Sequence, residues 1–382
     1  MFDYAARQRR LAERMESEGV SALFLGPSAD LEYLAGVQRT IPHFGEASYQ
    51  HGWVNGGFFA PGKDPVFVFP RMFDAFDLPQ RPEGEVVIVN ETDDGLAMFE
   101  KVARDFAGDG AFAVGDRVWA ETTINLARTF GVDKLRIGSS LVNHLRRVKT
   151  QEELDAMGRA IETVDKAIAA VAPKVQPGVS MAELAEEIEA AMRRAGSRTP
   201  SFPTHIFTGF EAGALDNHVK ETAWTPITEG TSVMFDFGGV VDGYCSDFGR
   251  TVYCGEPPAD LVEAYEVMLA AQEAGGRAAV PGAIARDVNA ACRQPIEDAG
   301  YGEWFRHRMG HGVGMDVHER PFISKEDETP LEAGMTFTNE PSIMIPNRWS
   351  IRIEDIYVCE EGGARNMNAT PRGLVANPAL DD

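Results

Sequence analysis

The chain has 382 residues, 44% of them apolar and 25% charged, a balance that fits a soluble globular protein of more than one typical domain, so two are expected. Its net charge of −23 argues against nucleic acid or an anionic membrane surface as a partner. There is no run of about 18 apolar residues and no apolar core of signal-peptide type at the start, and Cys245, Cys254, Cys292 and Cys359 lack paired metal spacing; together these point to buried thiols in a reducing cytoplasm.

The first part of the chain alternates. Tyr4–Glu18 reads as a helix, Ala22–Leu25 as a strand, and Pro27–Val37 as a turn leading into a short helix. Strands follow at Val66–Phe69 and Val86–Val89, a helix at Leu96–Phe106, a strand at Ala113–Val114, a helix at Ala120–Thr129 and a strand at Lys134–Ile137. Such alternation predicts an α/β domain with a mixed sheet. Ile41–Gly57, rich in aromatic, His and Gly residues, breaks the pattern and reads as a long loop.

LRRVK at Leu145–Lys149 marks a boundary, giving domains over residues 1–147 and 148–382. Beyond it, Thr150 with Glu153 three residues on predicts a capping box. Leu154, Met157, Ile161, Val164, Ile168 and Val171 then recur at the spacing of a long amphipathic helix. An internal echo follows. Pro177-Gly178 precedes a helical pattern (Met181, Leu184, Ile188, Met192) that ends at Ala195-Gly196, and Pro281-Gly282 precedes another (Ile284, Val288, Ala291, Ile296) that ends at Ala299-Gly300. The Pro-Gly to Ala-Gly spacings are identical, which predicts two αβ halves related by a pseudo-two-fold axis.

The chemistry concentrates in two apolar–turn–apolar stretches. Val233–Gly255 reads as a β-hairpin that carries Asp236 on its first arm and Asp247 near the start of its second, folded about Val241–Asp242. A carboxylate within an apolar strand is costly to bury unless it is paired or holds a metal. Thr336–Val358 repeats the device with Glu340 and Glu354, and between the two lies a Gly-spaced loop, Gly310–Pro321, with His311 and His318. Asp236, Asp247, His311, Glu340 and Glu354 make a ligand set for two hard divalent ions that share a water; four oxygens against one nitrogen favour Mn²⁺ or Co²⁺, with Zn²⁺ or Fe²⁺ as alternatives.

These residues, with GYCSDFGRT and GHGVGMDVHERP around them, resemble the pita-bread metallopeptidases: prolidase, aminopeptidase P and methionine aminopeptidase, with creatinase as a metal-free cousin. The resemblance runs from about Thr150 to Val358. It implies a fold of an α/β creatinase-type N-terminal domain followed by an α+β pita-bread catalytic domain, and a homodimer in which the first domain often leans over the partner's active site. It also implies cleavage of Xaa–Pro bonds in small peptides. By the same resemblance Glu340 is the proton shuttle, His218 and His318 face the substrate, and Arg352 orients the metal-bridging Glu or the substrate carboxylate. One departure stands out: Glu340-Pro341 continues as Ser-Ile-Met-Ile-Pro, where the peptidases usually have Gly-Ile-Tyr. That tail is similar to creatinase and to hydrolases of small non-peptide amides, which form the alternative reading; a non-catalytic pita-bread binding module is a more remote one.

Overall fold

Phenylalanine builds the core of the first of two units, Met1–Arg146 and Arg147–Asp382, into which the chain divides. The computed structural model describes residues 2–39, 50–208 and 223–377. In the first unit the elements are α1 (Tyr4–Ser17), β1 (Val20–Leu25), α2 (Ala29–Ala35), β2 (Gly56–Phe59), β3 (Val66–Pro70), β4 (Glu85–Val89), α3 (Gly95–Phe106), β5 (Ala111–Val114), α4 (Ala120–Phe130), β6 (Leu135–Ile137) and α5 (Ser139–Arg146). The strands form one sheet in the order β4-β3-β2-β1-β5-β6, antiparallel at β1–β2 and β2–β3 and parallel elsewhere. Phe24, Phe58, Phe99, Phe106 and Phe112 are buried together beneath it. This is an α/β domain of the creatinase type.

One expectation needs correction here. The long loop over Ile41–Gly57 does not run to its predicted end: Gly52–Val54 forms a single 3₁₀ turn and β2 begins at Gly56, while residues 41–49 lie outside the described residues. Helix α5, just before the boundary, had no expectation attached to it.

In the second unit come α6 (Gln151–Val171), α7 (Met181–Arg194), β7 (His205–Phe207), β8 (Thr231–Phe237), β9 (Val240–Val241), β10 (Tyr244–Cys245), β11 (Phe248–Cys254), α8 (Ala259–Ala278), α9 (Ala285–Asp298), β12 (Gly310–Gly312), β13 (Glu319–Ile323), β14 (Thr336–Asn339), β15 (Ser342–Ile345), β16 (Trp349–Arg352), β17 (Asp355–Val358), β18 (Arg365–Asn366) and β19 (Val375–Asn377). Both reciprocal bonds of the Thr150–Glu153 capping box are present at the start of α6, and Ser180 with Glu183 repeats the device on α7. Each box satisfies backbone donors that the first helical turn leaves open. The apolar face of α6 is buried as the periodicity required, with Met157, Ile161, Val164, Ile168 and Val171 inside and Leu154 half-buried.

The predicted duplication is visible in the backbone. Gly178 N–H donates to Ile227 and Ile227 N–H to Val179; at the same offset along the chain, Gly282 N–H donates to Leu331 and Leu331 N–H to Ala283. The isolated bridges Ser180↔Pro226 and Ile284↔Pro330 repeat with that offset too, and it carries Asp236 onto Glu340. In one half α6 and α7 pack on the sheet β19-β11-β8-β7; in the other α8 and α9 pack on β13-β12-β14-β17-β18. The sheets meet at the bridge Gly249↔Glu354. Two αβ halves joined along their strands are the pita-bread architecture.

Candidate metal centre

The first hairpin forms as its residues dictate, with one elaboration. Strands β8 and β11 pair with Asp236 opposite Gly249, and the short ribbon β9–β10 is interposed between them. That ribbon turns at Asp242 (φ 50°) and Gly243 (φ 83°), one residue later than the expected Val241–Asp242, because Val241 is paired with Tyr244 and a two-residue hairpin turn needs a left-handed pair. Asp247 stands immediately before β11. The second stretch departs from a simple hairpin. β14 pairs with β17 in the large sheet, while β15 and β16 pair only with each other. Glu340-Pro341 and Ile353-Glu354 occupy the break between the two ladders, where the Glu354 backbone pairs with Gly249 of the other half and the Glu340 N–H donates to the Met309 carbonyl.

The Gly-spaced loop is in part a strand, since β12 holds His311 between β13 and β14. Its glycines are required by the protein's own packing. A Cβ on Gly310 would collide with the Thr338 carbonyl, and one on Gly314 would lie 2.7 Å from the Glu319 carboxylate.

These elements bring Asp247, His311 and Glu354 together, each buried, with one donor atom of each mutually within 4.8 Å. His311 Nε2 lies 3.4 Å from Asp247 Oδ2 and 3.4 Å from Glu340 Oε1. Thr338 Oγ1 donates to Glu340 Oε1 at 3.1 Å. Asp236 turns instead to Arg352, whose Nη1 bonds its carboxylate and lies 3.6 Å from Glu354 Oε2. Arg352 is thus the cation among four acids. His318 is exposed, its ring edge-on to His311 at 4.2 Å between centroids. His218 lies outside the described residues.

Electrostatics follow from burial and crowding. Burial pushes the Asp247 and Glu354 carboxyls well above the usual range, and the neighbouring carboxylates push further. Glu340 is raised to about 7, first by burial, against the opposing pull of Arg352. Burial lowers His311 well below its ordinary value and His318 helps; His318 itself is lowered by desolvation of its packed side and by Arg308. Burial alone would lower Arg352, yet Asp236, Glu354 and Glu340 together raise it. The site therefore holds neutral imidazoles and an excess of acid over base.

Asp247 Oδ1 and Glu354 Oε2 are buried without a hydrogen-bond donor. Such oxygens are costly unless a cation satisfies them. An oxygen-rich set with one imidazole suits hard divalent ions, so the residues fit the metal they were expected to hold.

Around the acids lies a supporting layer that spacing did not reveal. Arg250 and Asp355, both fully buried, pair at 2.6 Å; Gln272 Nε2 donates to the second Asp355 oxygen at 3.0 Å, and Arg250 Nη1 donates to the Glu354 carbonyl at 2.9 Å. Lys149 Nζ donates to Glu319 Oε2 at 3.2 Å, also buried. His307 bonds the Ser342 hydroxyl and lies 3.9 Å from Glu340; burial drives it down to about 3, so it stays neutral. Its place four residues before His311 was the one available sequence signal for it.

An acid-rich buried centre at the junction of two duplicated αβ halves defines a divalent-metal hydrolase of the pita-bread fold. The chain belongs to metallopeptidase family M24, which matches residues 155–361. It is 36% identical over 251 residues to an Xaa-Pro dipeptidase of Pyrococcus furiosus, covering 66% of this chain and 71% of that one. Over 378 residues it is 32% identical to a probable dipeptidase, PepE, of Mycobacterium bovis, covering 98% and 97%. A solved dipeptidase from Pyrococcus horikoshii OT3 superposes with a TM-score of 0.85 at 29% identity, covering 97% of this chain and 99% of the other. The protein is a metallopeptidase, and no helix among its described residues is long and apolar enough to cross a membrane.

Proposed function

We propose that the protein is an Xaa-Pro dipeptidase, cleaving the bond before proline in small peptides, with two divalent ions held by Asp236, Asp247, His311, Glu340 and Glu354. The observation that carries the reading is the trio Asp247, His311 and Glu354, buried with donor atoms within 4.8 Å of one another. Its likeness to dipeptidases along nearly the whole chain supports the substrate class. Four oxygen donors and one nitrogen support Mn²⁺ or Co²⁺ ahead of Zn²⁺ or Fe²⁺. When bound, the ions supply a nucleophilic water at neutral pH and Lewis acidity toward the scissile carbonyl.

The chain's own residues do the rest. Glu340, assigned the proton-shuttle role through the family resemblance, accepts the proton of the attacking water and returns it to the leaving proline nitrogen. His318, neutral and exposed beside His311, donates to the carbonyl oxygen as charge develops on it; His218 is assigned the same role through the family resemblance. Arg352 holds Asp236 and Glu354 in place. Free, buried thiols at all four cysteines support a reducing cytoplasm, and the family resemblance supports a homodimer.

The test is hydrolysis of Xaa–Pro dipeptides, longer Xaa–Pro peptides and small cyclic amides by protein loaded with Mn²⁺ or Co²⁺. Preference for dipeptides is expected. Turnover confined to non-peptide amides would overturn the reading.

A further inference from the structure

His318 has an exacting task and few attachments. Among the described residues no side chain hydrogen-bonds its ring, which rests edge-on against His311 with 4.2 Å between centroids. A donor to a developing oxyanion acts only when it is held at the right place beforehand. The aim of this exposed imidazole therefore comes from the loop that carries it, residues 313–319.

That loop is wound around one carboxylate. Glu319, at the start of β13, turns its side chain inward, where it is 5% exposed. Asp316 N–H donates to its Oε1 at 3.1 Å. Gly314 brings the backbone so close that a Cβ there would lie 2.7 Å from the same carboxylate. The other oxygen, Oε2, accepts from Lys149 Nζ at 3.2 Å, and that lysine side chain is 1% exposed. Lys149 is fixed in turn by its backbone: its N–H donates to Gly334 at 3.0 Å, and Val148 bridges Met335 just before β14. The far side of the loop is tied as well, since Cys245 N–H donates to the Gly314 carbonyl at 2.7 Å and the Cys245 thiol to the Met315 carbonyl at 3.3 Å.

Stability alone does not account for the buried pair. Two charges taken out of water lose hydration that their attraction only roughly offsets, and apolar side chains of similar volume often serve a fold as well. A charged pair does supply register, because it closes in one geometry where an apolar contact can slide. Here the register is that of the turn leading into His318.

We propose that Lys149 and Glu319 are positioning residues for His318: their buried ion pair sets the turn of residues 314–319 and so aims the imidazole at the substrate carbonyl. The proposal rests on the reading of His318 as a donor to that carbonyl.

The experiment measures hydrolysis of a cleaved dipeptide by metal-loaded wild type, Lys149→Met, His318→Ala and the double variant. Lys149→Met should lose about 10- to 100-fold in kcat, the scale of a misplacement of about 1 Å, with KM and bound metal near those of wild type. In the His318→Ala background the same substitution should cost less than about 2-fold, because the residue it acts through is gone. Equal losses in both backgrounds would show a general structural effect and overturn the proposal, as would full activity in Lys149→Met. Glu319→Gln keeps the shape of its side chain and enters the same comparison if Lys149→Met does not fold. If His318→Ala turns over normally, or if no dipeptide is cleaved, the donor reading fails and labelling decides the positioning separately. Carbethoxylation by diethyl pyrocarbonate, read at each histidine by mass spectrometry, should be several-fold faster at His318 in the variant than in wild type, with His144 unchanged as the internal control. Equal rates at His318 would refute the positioning role.

Discussion

Removing the Asp355 carboxylate should damage the protein more than removing any single ligand, although Asp355 faces no metal. Its side chain is 0% exposed and Arg250 is 2% exposed. In Asp355→Ala the Arg250 guanidinium keeps its backbone acceptors Gly249, Glu354, Thr370 and Pro371 but loses its counter-charge, and Gln272 loses an acceptor. Stranding one member of a buried ion pair typically costs about 3–5 kcal/mol. For a unit of this size each kcal/mol moves the melting temperature by about 2–4 °C, so a fall of about 6–20 °C is expected. Because Arg250 also grips the Glu354 carbonyl, metal affinity should fall about 10- to 100-fold, as it does when an outer partner of a ligand is lost. Asp355→Asn preserves volume and a carbonyl for Gln272, and separates charge from shape. The assay is urea unfolding at fixed free Mn²⁺, with Mn²⁺ titration of the folded variant. An unfolding free energy within about 1 kcal/mol of wild type would refute the claim that this pair is uncompensated when broken.

Asp247→Ala, Glu354→Ala and His311→Ala should each lose bound metal along with turnover, whereas His318→Ala should keep its metal and lose about 10²–10³-fold in rate; elemental analysis beside kinetics tells these apart, and metal loss in His318→Ala would move that residue into the ligand set. Metal-free protein should become less stable as pH rises. Glu340, Asp247 and Glu354 have folded pKa values above their unfolded ones, so their contribution is fully present below about pH 4 and is lost as pH climbs through the folded values, about 7 for Glu340. Melting temperatures of chelated protein between pH 5 and 8 should fall relative to the metal-loaded form, and a rise would reverse the sign of this reasoning. Cys292 and Cys359 are held above the ordinary thiol range by burial, Cys359 at about 11. Both should resist alkylation at pH 8 until denaturant is added, and ready labelling of the native protein would contradict their burial.

Much of the site was legible because it is encoded locally. Asp236 and Asp247 stand on arms whose turn, Asp242-Gly243, is fixed by residues that adopt positive φ. The capping box at Thr150 needs only a three-residue spacing, and the echo of Pro-Gly and Ala-Gly pairs announces the two halves. What could not be read depends on partners far apart in the chain. Arg352 lies 116 residues from the Asp236 it bonds, Asp355 105 from Arg250, and Glu319 170 from Lys149; no periodicity links such positions. GHGVG looks like a loop because strand status there is conferred by β13 and β14 on either side. The second hairpin divides at Glu340 and Glu354 because its outer and inner arms pair in different sheets, which tertiary packing alone selects. The carboxyl pKa values come last of all: residue type sets the starting value, but burial and the crowding of four acids around Arg352 exist only once the halves have closed.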